Sequence, residues 1–239
     1  MSYTFQQSPH RSSRRGLAIN AIILHFTASA TLMGTMKWFQ AKHSRVSAHY
    51  VMGRDGRVVQ MVHEGEKAWH AGAAKLEGDP RVNSMSIGIE IVNWGSLQKQ
   101  DRTFYCWPGN YTQRYDIAKY GVPVQSKDGQ WWAPYTEEQR QALVKLCGEI
   151  VQRYPAITKE RIVGHEDVAP GRKNDPGPAL DMEWIRDQVF QEDAPDILPD
   201  SVYMDDDPSE EELAQRQQDR AEPMSWYDRV TARLNGFRG

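Results

Sequence analysis

Ser86-Ile87-Gly88-Ile89-Glu90-Ile91-Val92-Asn93 is the stretch on which the reading of the chain turns. Ile87, Ile89 and Ile91 alternate with Gly88, Glu90 and Val92, so one face is uniformly apolar and the other is small, then acidic. That pattern predicts a central strand covered on both sides. Working outward, residues 17–26 predict a second buried strand around Ile22-Ile23-Leu24, and Met36, Phe39 and Gln40 predict a helix over 33–43. Residues 48–52 and 58–62 flank Arg54-Asp55-Gly56, whose Asp-Gly pair predicts a hairpin turn. On the C-terminal side, residues 95–134 are irregular and aromatic, with Trp107, Tyr111, Tyr115, Tyr120, Trp131 and Trp132 among turn residues. A connection this long is functional or carries small elements of its own. Thr136 and Gln139 form a capping box for a helix over 137–154, whose stripe of Leu143, Leu146, Cys147, Ile150, Val151 and Tyr154 makes Cys147 a core thiol. A short strand at Ile162-Val163, a Gly/Pro-rich loop over 164–178 and a closing helix over 182–190 complete this part.

The flanks differ from that body. Residues 1–16 are polar and aperiodic, which predicts an arm in which His10 lies at the surface, as His43 and His63 should. Residues 191–239 carry 13 acidic against 5 basic side chains, while the preceding 190 residues have net charge +5. A solvated acidic linker over 192–212 is expected, followed by a short helix carrying Trp226, Val230 and Leu234. The basic excess of the body is too slight, and unaccompanied by any motif, to argue for nucleic acid. No apolar run reaches bilayer length, so no membrane span is expected. Two cysteines, Cys106 and Cys147, are too few for a disulfide framework. Ser12-Ser13-Arg14-Arg15-Gly16 ahead of an apolar run imitates a secretory leader, but Asn20 and His25 interrupt the run, and it reads as a strand instead.

Three polar residues stand where such a fold prefers apolar ones: His25 at the end of the first long strand, Glu90 in the central strand, and His165 just after Ile162-Val163. Taken singly, a strand-end histidine is more often a hydrogen-bonded structural residue. The loop from His165 to Pro178 contains three prolines and two glycines and would hold His165, Lys173 and Asp175 in a fixed relation, as a catalytic or metal site requires. His25, His165 and Asp175 are residue types that make up a three-ligand zinc site with one position left for water, although the 140 residues between the histidines leave the spacing itself silent. His63-Glu64 and His165-Glu166 lack the second histidine of an H-E-x-x-H helix.

Ile23-Leu24-His25-Phe26-Thr27, Ser47-Ala48-His49-Tyr50, Ala68-Trp69-His70-Ala71-Gly72, Ser86-Ile87-Gly88-Ile89-Glu90 and Gly164-His165 through Asp175-Pro176-Gly177-Pro178 resemble, in order, the motifs of zinc-dependent N-acetylmuramoyl-L-alanine amidases. This is the type 2 amidase family, related to peptidoglycan recognition proteins and phage amidases. The resemblance covers residues 17–190 as an amidase domain with 95–134 as an enlarged insertion, leaving 1–16 as an arm and 191–239 as an extension.

It implies an α/β fold with a central mixed β-sheet flanked by helices. Zinc would be held at one end of the sheet by His25, His165 and Asp175, with Glu90 and Lys173 at the catalytic positions. Ala48 stands where the phage branch has a tyrosine and the glutamate is present, which is similar to the glutamate-using branch. Beside the resemblance, His49 reads as structural, Trp69 and His70 as contacts to a sugar or peptide stem, and Arg172 as a partner for a stem carboxylate.

The expected reaction is hydrolysis of the amide between N-acetylmuramic acid and L-alanine in peptidoglycan or muropeptides, in a wall-lytic role such as an effector or phage lysin. Such a protein would act after export or injection and could use the acidic tail for a delivery or immunity partner. Competing readings are a cytosolic recycling amidase, a recognition module without activity, and a zinc peptidase acting on the stem.

Overall fold

The computed structural model describes residues 3–106 and 113–191. In chain order the elements are β1 (Thr4–Phe5), β2 (Arg11–Ser13), β3 (Ala21–Phe26), α1 (Leu32–Gln40), β4 (Tyr50–Met52), β5 (Val58–Gln60), β6 (Glu66–Ala68), α2 (Val82–Met85) and β7 (Ser86–Ile91). They continue as β8 (Ser96–Gln100), β9 (Thr103–Cys106), β10 (Gln113–Arg114), α3 (Ile117–Tyr120), β11 (Val124–Gln125), β12 (Trp131–Trp132), α4 (Glu137–Arg153), β13 (Ile162–Gly164), α5 (His165–Val168) and α6 (Met182–Phe190).

A six-stranded sheet in the order β1-β5-β4-β7-β3-β13 organises the molecule. β7 lies between β3 and β4, parallel to both, and β13 is parallel to β3, whereas β5 runs antiparallel to β4. The sheet is therefore mixed, and the ends of β3, β7 and β13 meet on one edge of it. The isoleucines that define the strand pattern explain its placement. Ile22, Leu24, Ile87, Ile89 and Ile91 pack with Leu143, Leu146 and Ile150 of α4 and Ile185 of α6, all at most 1% exposed. Burying each such side chain contributes on the order of 1.5–3 kcal/mol, which is why the capped amphipathic α4 lies on this face. The capping box is formed as expected, with Thr136 Oγ1 accepting from Gln139 N and Gln139 Oε1 from Thr136 N. On the other face Ala21, Ile23 and Val163 pack under Ala71, Leu76, Val82 and Met85, and Val51 packs under Met36 and Phe39 of α1.

Some local expectations are corrected. β3 begins at Ala21 rather than residue 17. The hairpin between β4 and β5 has a three-residue Arg54-Asp55-Gly56 loop in which Gly56 N donates to Gly53 O and Gly53 N to Arg57 O. Gly56 takes φ +77° there, so the glycine serves as the left-handed third residue of a longer turn.

The expected N-terminal arm is woven into the domain: β1 extends the central sheet along β5 and β2 pairs with β6. His10 is buried with Nε2 at 2.9 Å from Ala41 O, not at the surface. Arg14 is buried too, donating to Glu64 O, Ser84 O and Ser86 O. His43 and His63 are exposed as expected.

The aromatic insertion carries its own five-stranded antiparallel sheet, β10-β9-β8-β12-β11. Trp94, Leu97, Phe104, Cys106, Tyr115 and Tyr120 form its core. Asn93 joins the two sheets by donating to Ala133 O and Pro134 O and accepting from Gly95 N. Trp107 and Tyr111, the acidic linker and the helix expected near Trp226 lie outside the described residues. Among the described residues no helix is long and apolar enough to cross a membrane.

Candidate metal centre

His25 is the fifth residue of β3 and is register-paired with Glu90 of β7. Paired residues of adjacent strands project to the same side, so both point to the face opposite the isoleucines. β13 then delivers His165 as the first residue of α5, beside the end of β3. The loop that follows folds back so that Glu166 N donates to Asp175 O at 2.9 Å. Gly164 permits this return, because a Cβ there would lie 2.7 Å from Pro176 Cδ.

Three donors converge as a result. His25 Nδ1 lies 2.8 Å from Asp175 Oδ2 and 3.0 Å from His165 Nδ1, and His165 Nδ1 lies 3.0 Å from the same Oδ2. His25, His165 and Asp175 are all buried, with ligand atoms within 4.8 Å of one another, and together form a set able to hold a metal ion. His165 is oriented by the backbone, with Nε2 at 2.9 Å from Ala71 O. A carbonyl only accepts, so Nε2 carries the proton and Nδ1 presents its lone pair. Arg172 Nη2, 3.3 Å from that Nε2, also donates to Ala71 O at 2.8 Å, so the two donors share one carbonyl.

Glu90 borders this centre with Oε2 covered and without a hydrogen-bond partner. Burial, reinforced by the negative charge of Asp175, pushes its carboxyl well above the usual range, and the Lys173 ammonium opposes the shift. Lys173 is exposed on the return loop, close enough for its charge to act on both Glu90 and His25. Burial holds His25 below the ordinary imidazole range despite the Asp175 carboxylate. Burial likewise pushes Asp175 upward, but the two imidazoles at its Oδ2 outweigh it and the carboxyl ends below its ordinary value.

The three residues expected to contact substrate each make hydrogen bonds within the protein. His70 is buried behind His25, with Nδ1 at 3.0 Å from His25 Nε2 and Nε2 at 3.2 Å from Ser86 Oγ, so both ring nitrogens are engaged within the protein. Its ring occupies the space over Gly88, where a Cβ would come within 2.4 Å; the small residue on the second face of the central strand is the signal that could have located it. Trp69 donates from Nε1 to Ser12 Oγ at 3.1 Å and packs against His10, facing the N-terminal segment. Arg172 clamps Ala71 O and Ala73 O.

His49 is structural as expected: fully buried, it accepts from Gly88 N at Nδ1. The residue that sequence reasoning missed is Arg14, whose Nη2 reaches His49 Nε2 at 2.7 Å.

The fold and this centre have known counterparts. The model of the N-acetylmuramoyl-L-alanine amidase family matches residues 15–178, and the chain belongs to that family. Among curated relatives, 1,6-anhydro-N-acetylmuramyl-L-alanine amidase AmpD of Escherichia coli K12 is 35% identical over 148 residues, covering 62% of this chain and 60% of the relative. N-acetylmuramoyl-L-alanine amidase AmiD of the same strain is 32% identical over 179 residues, covering 71% and 53%. The chain thus spans less than two thirds of the length of these curated relatives. Among solved structures, the complex of Escherichia coli AmiD with anhydro-N-acetylmuramic acid-L-Ala-D-gamma-Glu-L-Lys aligns with a TM-score of 0.55 and 31% identity, over 77% of this chain and 60% of that one. AmpDh3 from Pseudomonas aeruginosa in complex with anhydromuramic pentapeptide aligns with a TM-score of 0.52 and 26% identity, over 79% and 65%.

Proposed function

We propose that this chain is a zinc hydrolase that cleaves the amide between the lactyl group of N-acetylmuramic acid and L-alanine in muropeptides and peptidoglycan. The observation that carries the reading is the convergence of His25 Nδ1, His165 Nδ1 and Asp175 Oδ2 beside the unpartnered Oε2 of Glu90. Two imidazoles and one carboxylate, with a further carboxyl held at the edge of the set, match the donor chemistry of a catalytic zinc site. When bound, zinc lowers the pKa of water and polarises the scissile carbonyl.

The residues of this chain supply the rest. Glu90 takes the proton of the attacking water and returns it to the leaving amine nitrogen; a carboxyl raised by burial suits both halves of that transfer. Lys173, a cation at the mouth of the centre, stabilises the oxyanion that develops on the carbonyl oxygen. Residues 17–190, together with the N-terminal strands paired to them, are the hydrolytic domain in this reading, with 95–134 an insertion and 191–239 an extension.

The relatives support this substrate class: AmpD is named a 1,6-anhydro-N-acetylmuramyl-L-alanine amidase, and the AmiD and AmpDh3 structures hold anhydro-muramyl peptides. That likeness favours soluble muropeptides, and hence recycling, as a second setting beside wall lysis. No observation among the described residues supports a delivery or immunity partner for the acidic tail.

Mass spectrometry of products from zinc-loaded protein incubated with anhydro-muropeptides and, separately, with intact sacculi tests these points. Free stem peptides are the expected product. Shortened stems still attached to muramic acid would make the protein a peptidase, and binding without any product would make it a recognition module. Release from muropeptides but not sacculi would remove the lytic role.

A further inference from the structure

His70 reads from sequence as a substrate contact, yet it is buried behind the metal centre as the middle of a hydrogen-bonded chain whose direction is set by the carbonyl at its far end. The chain runs from His25 Nε2 to His70 Nδ1 at 3.0 Å, from His70 Nε2 to Ser86 Oγ at 3.2 Å, and from Ser86 Oγ to Val82 O at 2.6 Å. Val82 O is a carbonyl and can only accept, so the single Ser86 hydroxyl proton is spent on it. Ser86 Oγ then has lone pairs to offer to His70, so His70 Nε2 carries the ring proton. His70 Nδ1 is left bare and accepts the Nε2 proton of His25.

We propose that His70, with Ser86 and the Val82 carbonyl, is a positioning relay that fixes His25 with its proton on Nε2 and its Nδ1 directed at Asp175 and His165 for metal binding. This inference rests on the metal-centre reading above. With His165 Nε2 held by Ala71 O, both imidazoles are oriented by backbone carbonyls, one directly and one through two side chains.

The surroundings support the assignment. Gly88 leaves room for the His70 ring, which a Cβ would strike at 2.4 Å. Asn83 Oδ1 accepts from His70 N and Ala71 N at 3.1 and 2.8 Å, pinning the backbone of the segment that supplies both the relay and the His165 acceptor. Arg14 Nη2 donates to Ser86 O at 3.0 Å and anchors the far end. The relay moves no proton in the reaction; it holds the Nε2 proton of His25 so that Nδ1 serves as the metal donor.

Two readouts independent of turnover test it. In zinc-loaded wild-type protein, ¹⁵N-resolved imidazole spectra should show His70 protonated at Nε2 and bare at Nδ1, and His25 protonated at Nε2. His70 protonated at Nδ1, or His25 bare at Nε2, would overturn the proposal. In zinc titrations, His70→Ala should weaken binding about tenfold to a hundredfold, the range for residues that orient metal ligands. Ser86→Ala should weaken it in the same direction, and His70→Asn, whose carboxamide oxygen replaces the Nδ1 acceptor, should recover most of the loss. A folded His70→Ala protein with wild-type zinc affinity, or no recovery in His70→Asn, would contradict the relay. If His70→Ala does not fold, the wild-type spectra and the Asn variant still decide. Wild-type protein that takes up no zinc would overturn the metal-centre reading itself, whereas zinc uptake with His70 protonated at Nδ1 would overturn the relay alone.

Discussion

Glu90 is register-paired with His25, points to the same face, and keeps one oxygen buried without a partner. A group so placed is costly in a merely structural role, because an unsatisfied buried oxygen is destabilising. Glu90→Gln preserves volume and removes the proton acceptor. Turnover should fall about 10²- to 10⁴-fold, the usual contribution of general acid–base catalysis, while zinc affinity measured by titration stays close to wild type. A variant with undiminished turnover would remove Glu90 from the mechanism.

His49 supports a second prediction at this scale. Burial, and then the neighbouring Arg14 guanidinium, lower its pKa from 6.5 to about 3. The unfolded chain therefore takes up a proton near pH 6.5 that the folded protein refuses until about pH 3. Between those values the unfolded state binds more protons, so stability falls as pH falls, by about 1.4 kcal/mol per pH unit from this residue alone. Urea unfolding at several pH values should show a shallower dependence in His49→Gln than in wild type; equal slopes would contradict the assignment.

At the scale of elements, β7 and the segment before it work as one unit: Gly88 offers no side chain, and His70 fills the space. Gly88→Ala would ordinarily favour a strand by restricting the unfolded chain. Here the new methyl strikes the His70 ring, so overpacking should cost about 1–3 kcal/mol and displace His70 from His25. Lower thermal stability together with weaker zinc binding is the expected result. Unchanged values for both would mean that the ring has room to yield.

The same elements show what could be read from the chain. α4 and β7 were legible because a capping box, an apolar stripe and a strict alternation are local signals. His25, His165, Asp175 and Glu90 were legible as polar residues at strand ends and in a stiff loop. β1, β2 and β6 were not, since two- and three-residue strands carry no period and exist only through pairing with distant partners. Arg14 gave no signal because what justifies its burial are carbonyls at Glu64, Ser84 and Ser86, 50 to 72 residues away. Trp69 and His70 read from sequence as substrate contacts, and nothing local reveals that their loop closes over a glycine of β7.

At the scale of the whole molecule, the centre joins residues from three distant segments, and the mixed sheet brings them together. The N-terminal residues belong to that sheet: β1 pairs with β5, β2 with β6, and Arg14 reaches His49. Every residue of the proposed centre lies before Gln191, and among the described residues so does the core packed around it. A chain ending at Gln191 should therefore keep zinc affinity and turnover near those of the full chain, whereas removal of residues 1–16 should lower the melting temperature and weaken zinc binding. The opposite ranking of the two truncations would show that the acidic extension, not the N-terminal segment, completes the domain.

The most direct test of the central claim is stem-peptide release from muropeptide, measured after the metal is stripped with a chelator and again as zinc is titrated back. Activity should vanish on stripping and return in proportion to zinc, with a break at one ion per chain, and Asp175→Ala should recover none of it. Full activity in stripped protein, or in Asp175→Ala without bound zinc, would contradict the account.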